Sequence, residues 1–334
     1  MKIAISIGDP NGIGLEIALK AHEKISEFCN PIYFTGIDLF EQATEKLDLK
    51  LPKNLVFVSP APVCTIQPGV TTAEAGAYSF ASFTKAVDAV KNKECDAVVT
   101  LPINKESWKK AGIEYKGHTD ALRDFFKKEA IMMLGCEKMY VALFTEHIPL
   151  KDVPQKIKKE SLVQFLIDFQ KETGGKKIGV LGLNPHAGDN GVLGDEEKII
   201  TEAIKEANQK DSTFIGPLVP DIAFSPKMRE SLRYYVAMYH DQGLAPLKAL
   251  YFDESINVSL NLPIVRTSVD HGTAFDIAYQ KNRPINLRSY IEAVKAAIEI
   301  KNKKIATNQP NPIGAEAMAK GMPSINSQSP SQSL

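Results

Sequence analysis

The sequence of 334 residues has no excess of charge of either sign. Lysine and arginine number 40, as do aspartate and glutamate, so the composition gives no indication of nucleic-acid or anionic-membrane binding. No apolar run approaches the roughly 18 residues that span a bilayer. The four cysteines form no C-x-x-C pair, which argues against a disulfide framework or a cysteine metal site. Because the short apolar N-terminus runs directly into Asp9, unlike a signal peptide, we expect a cytoplasmic, globular protein.

Apolar runs and helical periodicity alternate along most of the chain. A chain of this length with 44% hydrophobic residues can bury a large core, and we expect two lobes. Residues 80–90 have helical periodicity, and the acidic start of residues 195–207 suits a helix N-terminus. Strand-like runs occupy residues 95–100, 139–145, 176–183 and 234–239. This alternation predicts an α/β protein with a largely parallel sheet flanked by helices.

The first 17 residues, MKIAISIGDPNGIGLEI, read as a strand, a tight turn and the start of a helix. Gly8, Gly12 and Gly14 follow the order G-x-x-x-G-x-G, which is neither the dinucleotide fingerprint G-x-G-x-x-G nor a P-loop. A sharp corner between strand and helix therefore explains the stretch as well as a phosphate-binding turn does.

Three of the six histidines directly follow predicted strands: His147, His186 and His240. Ligands in open α/β sheets bind outside the carboxyl ends of the strands. Three neutral imidazoles suit a catalytic divalent metal and leave positions for substrate or water. The alternative is that each is an ordinary turn histidine that bonds a nearby carbonyl. His22, within a predicted helix, is expected to be exposed to solvent.

A second group of residues is basic and polar, and comprises His118, Thr119, Lys248, Asn257 and Arg266. Fixed cations with neutral donors suit a small dianionic substrate, and arginine favours bidentate binding of carboxylate or phosphate. The alternative is that the cations are solvated at strand edges.

The stretch DHGTAFDIA contains His271, Gly272, Thr273 and Asp276 ahead of a predicted helix. The glycine permits close approach of the backbone to a ligand, and Asp276 can accept a hydrogen bond from a ribose hydroxyl. A helix entry with Asp276 near the cap explains the same pattern.

Several of these motifs together closely resemble the 4-hydroxythreonine-4-phosphate dehydrogenase family of vitamin B6 biosynthesis. They are SIGDPNGIGLEI, LPINKES, GHTD, LNPHAGDNG, MYHDQGLAPLK and VRTSVDHGTAFDIA, and the match runs in order from about Lys2 to Val294. DHGTAFDIA also resembles a segment of isocitrate and isopropylmalate dehydrogenases. The resemblance implies two α/β/α lobes of the isocitrate/isopropylmalate dehydrogenase-like fold, with the active-site cleft between them.

The resemblance also implies a division of the chain. A cofactor-binding lobe is expected over residues 1–125 and 265–320, and a lobe for metal, substrate and the dimer interface over residues 126–264. Residues 321–334, rich in serine and proline, are expected to be a disordered tail.

The implied reaction is the NAD(P)-dependent oxidation of 4-phosphohydroxy-L-threonine to 2-amino-3-oxo-4-phosphooxybutanoate, which decarboxylates to 3-amino-2-oxopropyl phosphate. The resemblance makes the three strand-end histidines ligands of Zn²⁺, Co²⁺ or Mg²⁺, and the basic and polar group the substrate contacts. It implies a homodimer whose sites are shared, with His147 and His186 from one subunit and His240 from the other. The implied cofactor contacts are His271, Gly272, Thr273 and Asp276, with Gly12 and Gly14 near the cofactor.

The sequence leaves open the proton acceptor, the choice of cofactor and the exact reaction. The proton acceptor is not identified, with Asp241 and Lys105 as candidates. The family pattern is broken at Leu15, Val219–Pro220, Phe275 and Tyr279, and the last of these leaves the choice between NAD and NADP open. A sister dehydrogenase acting on threonate or erythronate 4-phosphate is one alternative. A phosphate acyltransferase is another, but it would need no metal, so the three histidines argue against it.

Overall fold

In the computed structural model, which describes residues 1–60 and 62–308, strands and helices alternate along the chain. The strands of this part are β1 (Lys2–Ser6), β2 (Asn30–Phe34), β3 (Val56–Phe57), β4 (Ala97–Thr100), β5 (Ile131–Cys136), β6 (Met139–Leu143), β7 (Ile178–Leu181), β8 (Phe214–Leu218), β9 (Tyr234–Ala237), β10 (Ile256–Leu260) and β11 (Arg266–Val269). Its helices are α1 (Gly14–Ser26), α2 (Ile37–Leu47), α3 (Ala73–Lys91), α4 (Lys105–Lys110), α5 (His118–Phe126), α6 (Val153–Lys156), α7 (Lys159–Thr173), α8 (Glu196–Ala207), α9 (Pro220–Ala223), α10 (Pro226–Ser231), α11 (His240–Tyr251) and α12 (Arg288–Asn308). Short 3₁₀ turns lie at Leu150–Asp152 and Pro185–Gly191. Each strand and helix named from the sequence is present, except the helix expected after DHGTAFDIA.

The described strands form one sheet in the order β3-β2-β1-β4-β11-β10-β5-β6-β9-β7-β8. Neighbours pair in parallel from β3 to β11 and again from β6 to β8. Between these two blocks, β10 is antiparallel to β11 and β5, and β5 is antiparallel to β6. The predicted α/β class with a largely parallel sheet is therefore confirmed.

The lobe boundaries stay a prediction, although the two parallel blocks fall on either side of the antiparallel strands. The segment expected to be disordered, residues 321–334, lies outside the described residues, as does the part of 265–320 beyond residue 308. Among the described helices, none has both the length and the apolar composition required to cross a membrane.

Helix α3 shows why the sequence pattern predicts the fold well. The Oγ1 of Thr72 accepts a hydrogen bond from the Ala75 amide at 3.1 Å and so caps the helix. The side chains of Phe83, Val87 and Val90 are buried. The periodic apolar face thus lies in the core, as the spacing predicts.

The prediction that His22 is exposed was wrong. It is only 3% exposed, because its ring packs against Tyr33 on β2, at a centroid distance of 5.7 Å. Its Nδ1 lies 3.0 Å from the hydroxyl of Tyr33, and its Nε2 lies 3.2 Å from the carbonyl oxygen of Lys53. The ring is a satisfied core histidine.

The helix predicted after DHGTAFDIA is also absent. Ala274 and Tyr279 have φ values of 45° and 59°, in the left-handed region that interrupts a right-handed helix. The segment forms turns, and the next helix begins at Arg288. Asp276 is therefore not a helix cap.

Candidate active site

A cavity of about 1010 Å³ opens where β4, β6, β9 and β11 end. All five members of the basic and polar group line it: His118, Thr119, Lys248, Asn257 and Arg266. The other predicted site residues on its wall are Lys105, His147, His240, His271 and Gly272. Six predicted site residues are absent from the wall: Gly12, Gly14, His186, Asp241, Thr273 and Asp276. The structure thus brings most of the predicted site together.

The guanidinium of Arg266 is held at the base of this cavity by side chains from neighbouring strands. The Oγ1 of Thr100, at the end of β4, accepts hydrogen bonds from Nε at 3.2 Å and Nη2 at 2.7 Å. The Oγ of Ser259 on β10 accepts from Nη1 at 3.0 Å. Arg266 is only 2% exposed, and no carboxylate of the described residues forms an ion pair with it.

Burial of this cation lowers the pKa of Arg266 to about 9, so it stays charged at neutral pH. A buried charge without a counter-charge is unfavourable unless it is paired. The geometry therefore favours an anionic ligand next to Arg266.

His118 complements Arg266 as a neutral donor. Its Nδ1 lies 3.2 Å from Nη2 of Arg266, and a guanidinium can only donate, so Nδ1 accepts. Burial, assisted by the charge of Arg266, keeps the pKa of His118 well below its usual value. The neutral ring must then carry its proton on Nε2, which is buried and has no partner among the described residues. The ring is packed against Phe83 and Trp108, at centroid distances of 4.7 and 5.6 Å.

This arrangement does not leave Arg266 the two free N–H groups that the predicted bidentate binding of an anion requires. Of the five guanidinium N–H groups, four already donate to Thr100, Ser259 and His118, two of them to Thr100. One N–H remains for a ligand, and the Nε2–H of His118 is the second donor. An anion would thus be held by one charged and one neutral donor.

The other members of the basic and polar group differ in whether their polar atoms already have partners. The Nζ of Lys248 lies 3.2 Å from Oδ1 of Asp270, so its charge is already matched. The Oδ1 of Asn257 is buried without a partner among the described residues, and is an acceptor available to a ligand. The hydroxyl of Thr119 lies 3.5 Å from that of Ser259.

His147 and His240 lie side by side within one chain, with their ring centroids 5.3 Å apart. The Nδ1 of His240 donates to Oδ1 of Asp241 at 2.6 Å, which leaves Nε2 free. A carboxylate partner of this kind orients metal-binding histidines. Burial, together with Lys105 and His240, lowers the pKa of His147, which favours the neutral, ligand-competent ring. The two rings fit part of a divalent metal site.

His186 does not join this pair. It is exposed, in the turn Pro185–Gly191 after β7, and among the described residues no three histidine, cysteine or carboxylate side chains group to hold a metal. Within one chain, the ring of His147 therefore lies beside that of His240 and not beside that of His186. Which subunit supplies each ligand stays a prediction.

The opening glycines have packing roles that need no ligand. A Cβ on Gly12 would lie 2.8 Å from the carbonyl oxygen of Thr273, which accepts a hydrogen bond from the Ile13 amide. A Cβ on Gly14 would lie 2.3 Å from the carbonyl oxygen of Ile7. Residues 7–14 are all buried, so this stretch is a sharp corner packed against the DHGTAFDIA segment. None of residues 7–14 lines the cavity, and the nearness of Gly12 and Gly14 to the cofactor stays a prediction.

On the cavity wall, the candidates for cofactor contact are His271 and Gly272. The Nδ1 of His271 donates to the Gly272 carbonyl at 3.0 Å, and its buried Nε2 has no partner among the described residues. Burial lowers the pKa of His271, so the free Nε2 of the neutral ring is an acceptor. Asp276 is exposed and Thr273 packs against Gly12, so the predicted cofactor set is brought to the cavity only in part.

Sequence reasoning missed the residues that hold the site in place. Thr100 and Ser259 anchor Arg266, and no spacing pattern distinguishes them from other strand residues. Arg123 donates from Nη1 to Oε2 of Glu146 at 3.1 Å and so ties α5 to the loop that carries His147. The one available signal is that Glu146 directly precedes His147 in sequence.

Comparison with known proteins gives consistent matches over most of the chain. A family model described as pyridoxal phosphate biosynthetic protein PdxA matches residues 14–297. A 4-hydroxythreonine-4-phosphate dehydrogenase of Sulfurimonas denitrificans is 58% identical over 302 residues, covering 90% of this chain and 98% of that protein. One from Campylobacter fetus is 55% identical with the same coverage. The crystal structure of the enzyme of that name from Klebsiella pneumoniae superposes with a TM-score of 0.79 at 29% identity, covering 90% and 98% of the two chains.

Proposed function

The chain belongs to the family of the pyridoxal phosphate biosynthetic protein PdxA, and we propose that it is an NAD(P)-dependent 4-hydroxythreonine-4-phosphate dehydrogenase. The substrate would be 4-phosphohydroxy-L-threonine, oxidised at its C3 hydroxyl to a β-keto acid that loses CO₂. The observation that carries the proposal is the uncompensated buried charge of Arg266 beside the free Nε2–H of His118. This pair suits a small anionic substrate, as the names of the relatives require.

The substrate contacts follow from the free atoms of the cavity. Arg266 and His118 would each donate one hydrogen bond to a phosphate or carboxylate oxygen of the substrate. Asn257 Oδ1 would accept from a hydroxyl or ammonium group, and therefore orient the carbon skeleton relative to the anion. Such fixed contacts would orient the C3 carbinol for hydride transfer when a nicotinamide cofactor is bound.

The donor set also fits a divalent metal in part. His147 and His240 would provide two imidazole ligands, and the proposed third is His186 of the partner subunit in a homodimer. A bound metal would supply Lewis-acid polarisation of the substrate hydroxyl and the resulting carbonyl. Zn²⁺ or Co²⁺ suits three imidazoles better than Mg²⁺ does.

The surface around His186 supports the homodimer. Val192 and Leu193 follow it in the chain and are 78% and 47% exposed, and Ile222 on the adjacent α9 is 58% exposed. Apolar side chains concentrated at such a place suit a subunit interface. Lys105 stays the candidate proton acceptor on the cavity wall, because Asp241 is engaged with His240 and lies outside the wall.

The proposal is tested by a screen of NADH and NADPH formation over three substrates. These are 4-phosphohydroxy-L-threonine, threonate 4-phosphate and erythronate 4-phosphate, each with metal-stripped enzyme before and after addition of Zn²⁺, Co²⁺ or Mg²⁺. We expect the first substrate to be oxidised with the highest kcat/KM, and only after a metal is added. Preference for another acid would identify a sister dehydrogenase. Acetyl transfer between acetyl phosphate and coenzyme A without NAD(P) reduction would identify an acyltransferase and contradict the proposal.

A further inference from the structure

The loop that carries His186 has an unusual backbone. His186, Ala187, Gly188, Asp189 and Asn190 are consecutive, and their φ values all lie between 42° and 76°. L-residues other than glycine, asparagine and aspartate rarely adopt this left-handed conformation, and then as single residues. A run that includes histidine and alanine persists only where the surroundings impose it.

The surroundings include the carboxylate of Glu197, near the start of α8. Its Oε1 accepts from the amides of Leu183 and Asn184 at 2.8 and 2.7 Å, and its Oε2 accepts from the side chain of Asn184 at 2.9 Å. Glu197 is only 7% exposed and has no cationic partner among the described residues. Both of its oxygens are thus used to fix the two residues before Pro185.

The same carboxylate contacts the loop from inside. A Cβ on Gly188 would lie 2.5 Å from Oε2 of Glu197, so the left-handed turn runs directly against the carboxylate. Glu197 therefore fixes the chain before His186 and contacts it again two residues after His186. The exposed imidazole lies between these two points.

We infer that Glu197 is a positioning residue that fixes the left-handed loop so that His186 can complete the metal site. This inference rests on the proposed function, because it assumes that His186 is a metal ligand. Glu197 itself touches neither metal nor substrate. It acts by restricting the loop to the one conformation in which His186 is presented.

The substitution Glu197→Gln separates this role from simple packing, because size and shape are kept. A glutamine oxygen can still accept the two backbone N–H groups, but its NH₂ then faces the NH₂ of Asn184, so donor opposes donor. Glu202→Gln is the matched control, since Glu202 is exposed on the same helix.

Two measurements on the full-length enzyme test the inference. In the metal-free protein, hydrogen exchange of the amides of residues 183–194 should be faster in Glu197→Gln than in wild type or Glu202→Gln. Titration with Co²⁺, followed by its visible absorption, should show affinity about tenfold weaker for Glu197→Gln, the low end of effects seen for groups that orient metal ligands. In a His186→Ala background, Glu197→Gln should cause no further loss of Co²⁺ affinity. Asn184→Ala, which removes one of the three bonds, should give a smaller loss and serves if Glu197→Gln does not fold.

Unchanged Co²⁺ affinity with faster loop exchange would make Glu197 merely structural and overturn the inference. A loss of affinity that persists in the His186→Ala background would overturn it too, because the effect would not pass through His186. If wild type and His186→Ala bind Co²⁺ equally, the ligand role of His186 in the proposed function fails, independently of Glu197.

Discussion

The two sides of the cavity differ in how far one chain completes them. On the anion side, Arg266, His118, Thr100 and Ser259 are buried and hydrogen-bonded to each other, and only the atoms that a ligand would use are left free. On the histidine side, two rings are paired, and the third predicted ligand is on an exposed turn. Folding alone assembles the first side because its strands are neighbours in the sheet. In the proposed function, the second side is completed by His186 of a partner subunit.

The largest expected effect on KM comes from removing the positive charge of Arg266 on the anion side. Arg266→Ala should raise KM for the phosphorylated substrate by about 100-fold, equivalent to roughly 3 kcal/mol, because a charge-assisted contact is lost and the cavity loses its cation. KM for NAD(P) should stay nearly unchanged. Steady-state kinetics with each substrate varied in turn checks both values. If KM for NAD(P) rose instead, Arg266 would be identified as a contact of the cofactor and not of the substrate.

A smaller effect is expected from Thr100, which touches no substrate in this account. Thr100→Val keeps the shape but removes the acceptor of two guanidinium N–H groups, so Arg266 should lose its fixed orientation. We expect KM for the substrate to rise about tenfold. Thr100→Ser keeps the hydroxyl and should stay close to wild type. Equal KM values for Thr100→Val and Thr100→Ser would show that Arg266 does not depend on this anchor.

The smallest effect concerns the neutral donor, His118. The pKa of His118 in the folded protein lies well below its usual value. As the pH falls below about 6.5, His118 is therefore protonated in the unfolded chain while it stays neutral in the folded protein. The stability contributed by the buried neutral ring is therefore present above pH 6.5 and is lost as the pH falls. Relative to His118→Gln, wild type should lose about 0.7 kcal/mol of unfolding free energy between pH 7 and pH 6. Denaturant unfolding at both pH values measures this; a constant difference would mean that His118 titrates normally when folded.

The contrast between the sides also shows what the sequence can predict. Strands and helices followed from local periodicity, and His147 and His240 came together because β6 and β9, which precede them, are adjacent in the sheet. The anchors of Arg266 were not predictable, because the pairing of β11 with β4 and β10 decides that Thr100 and Ser259 face it.

One wrong prediction and one unpredicted turn both depend on tertiary structure. His22 is on a helix whose polar positions look solvated, but its ring is buried against Tyr33 of β2 and the carbonyl of Lys53. The left-handed turn at His186 had a partial signal in its glycine, aspartate and asparagine, but nothing in PHAGDNG indicates that histidine and alanine adopt it as well.

Subunit mixing tests most directly whether the histidine side is completed by a partner. His147→Ala and His186→Ala should each be nearly inactive alone. After verified subunit exchange, about half of the dimers are mixed and each has one intact site, so about a quarter of wild-type activity should return. The mixture of His147→Ala with His240→Ala should stay inactive, because both lesions fall on the side contributed by one chain. If activity returned with His147→Ala and His240→Ala but not with His147→Ala and His186→Ala, the placement of His147 and His240 on the same side of the site would be contradicted. If activity returned in neither mixture, the three histidines would not form a site shared across subunits.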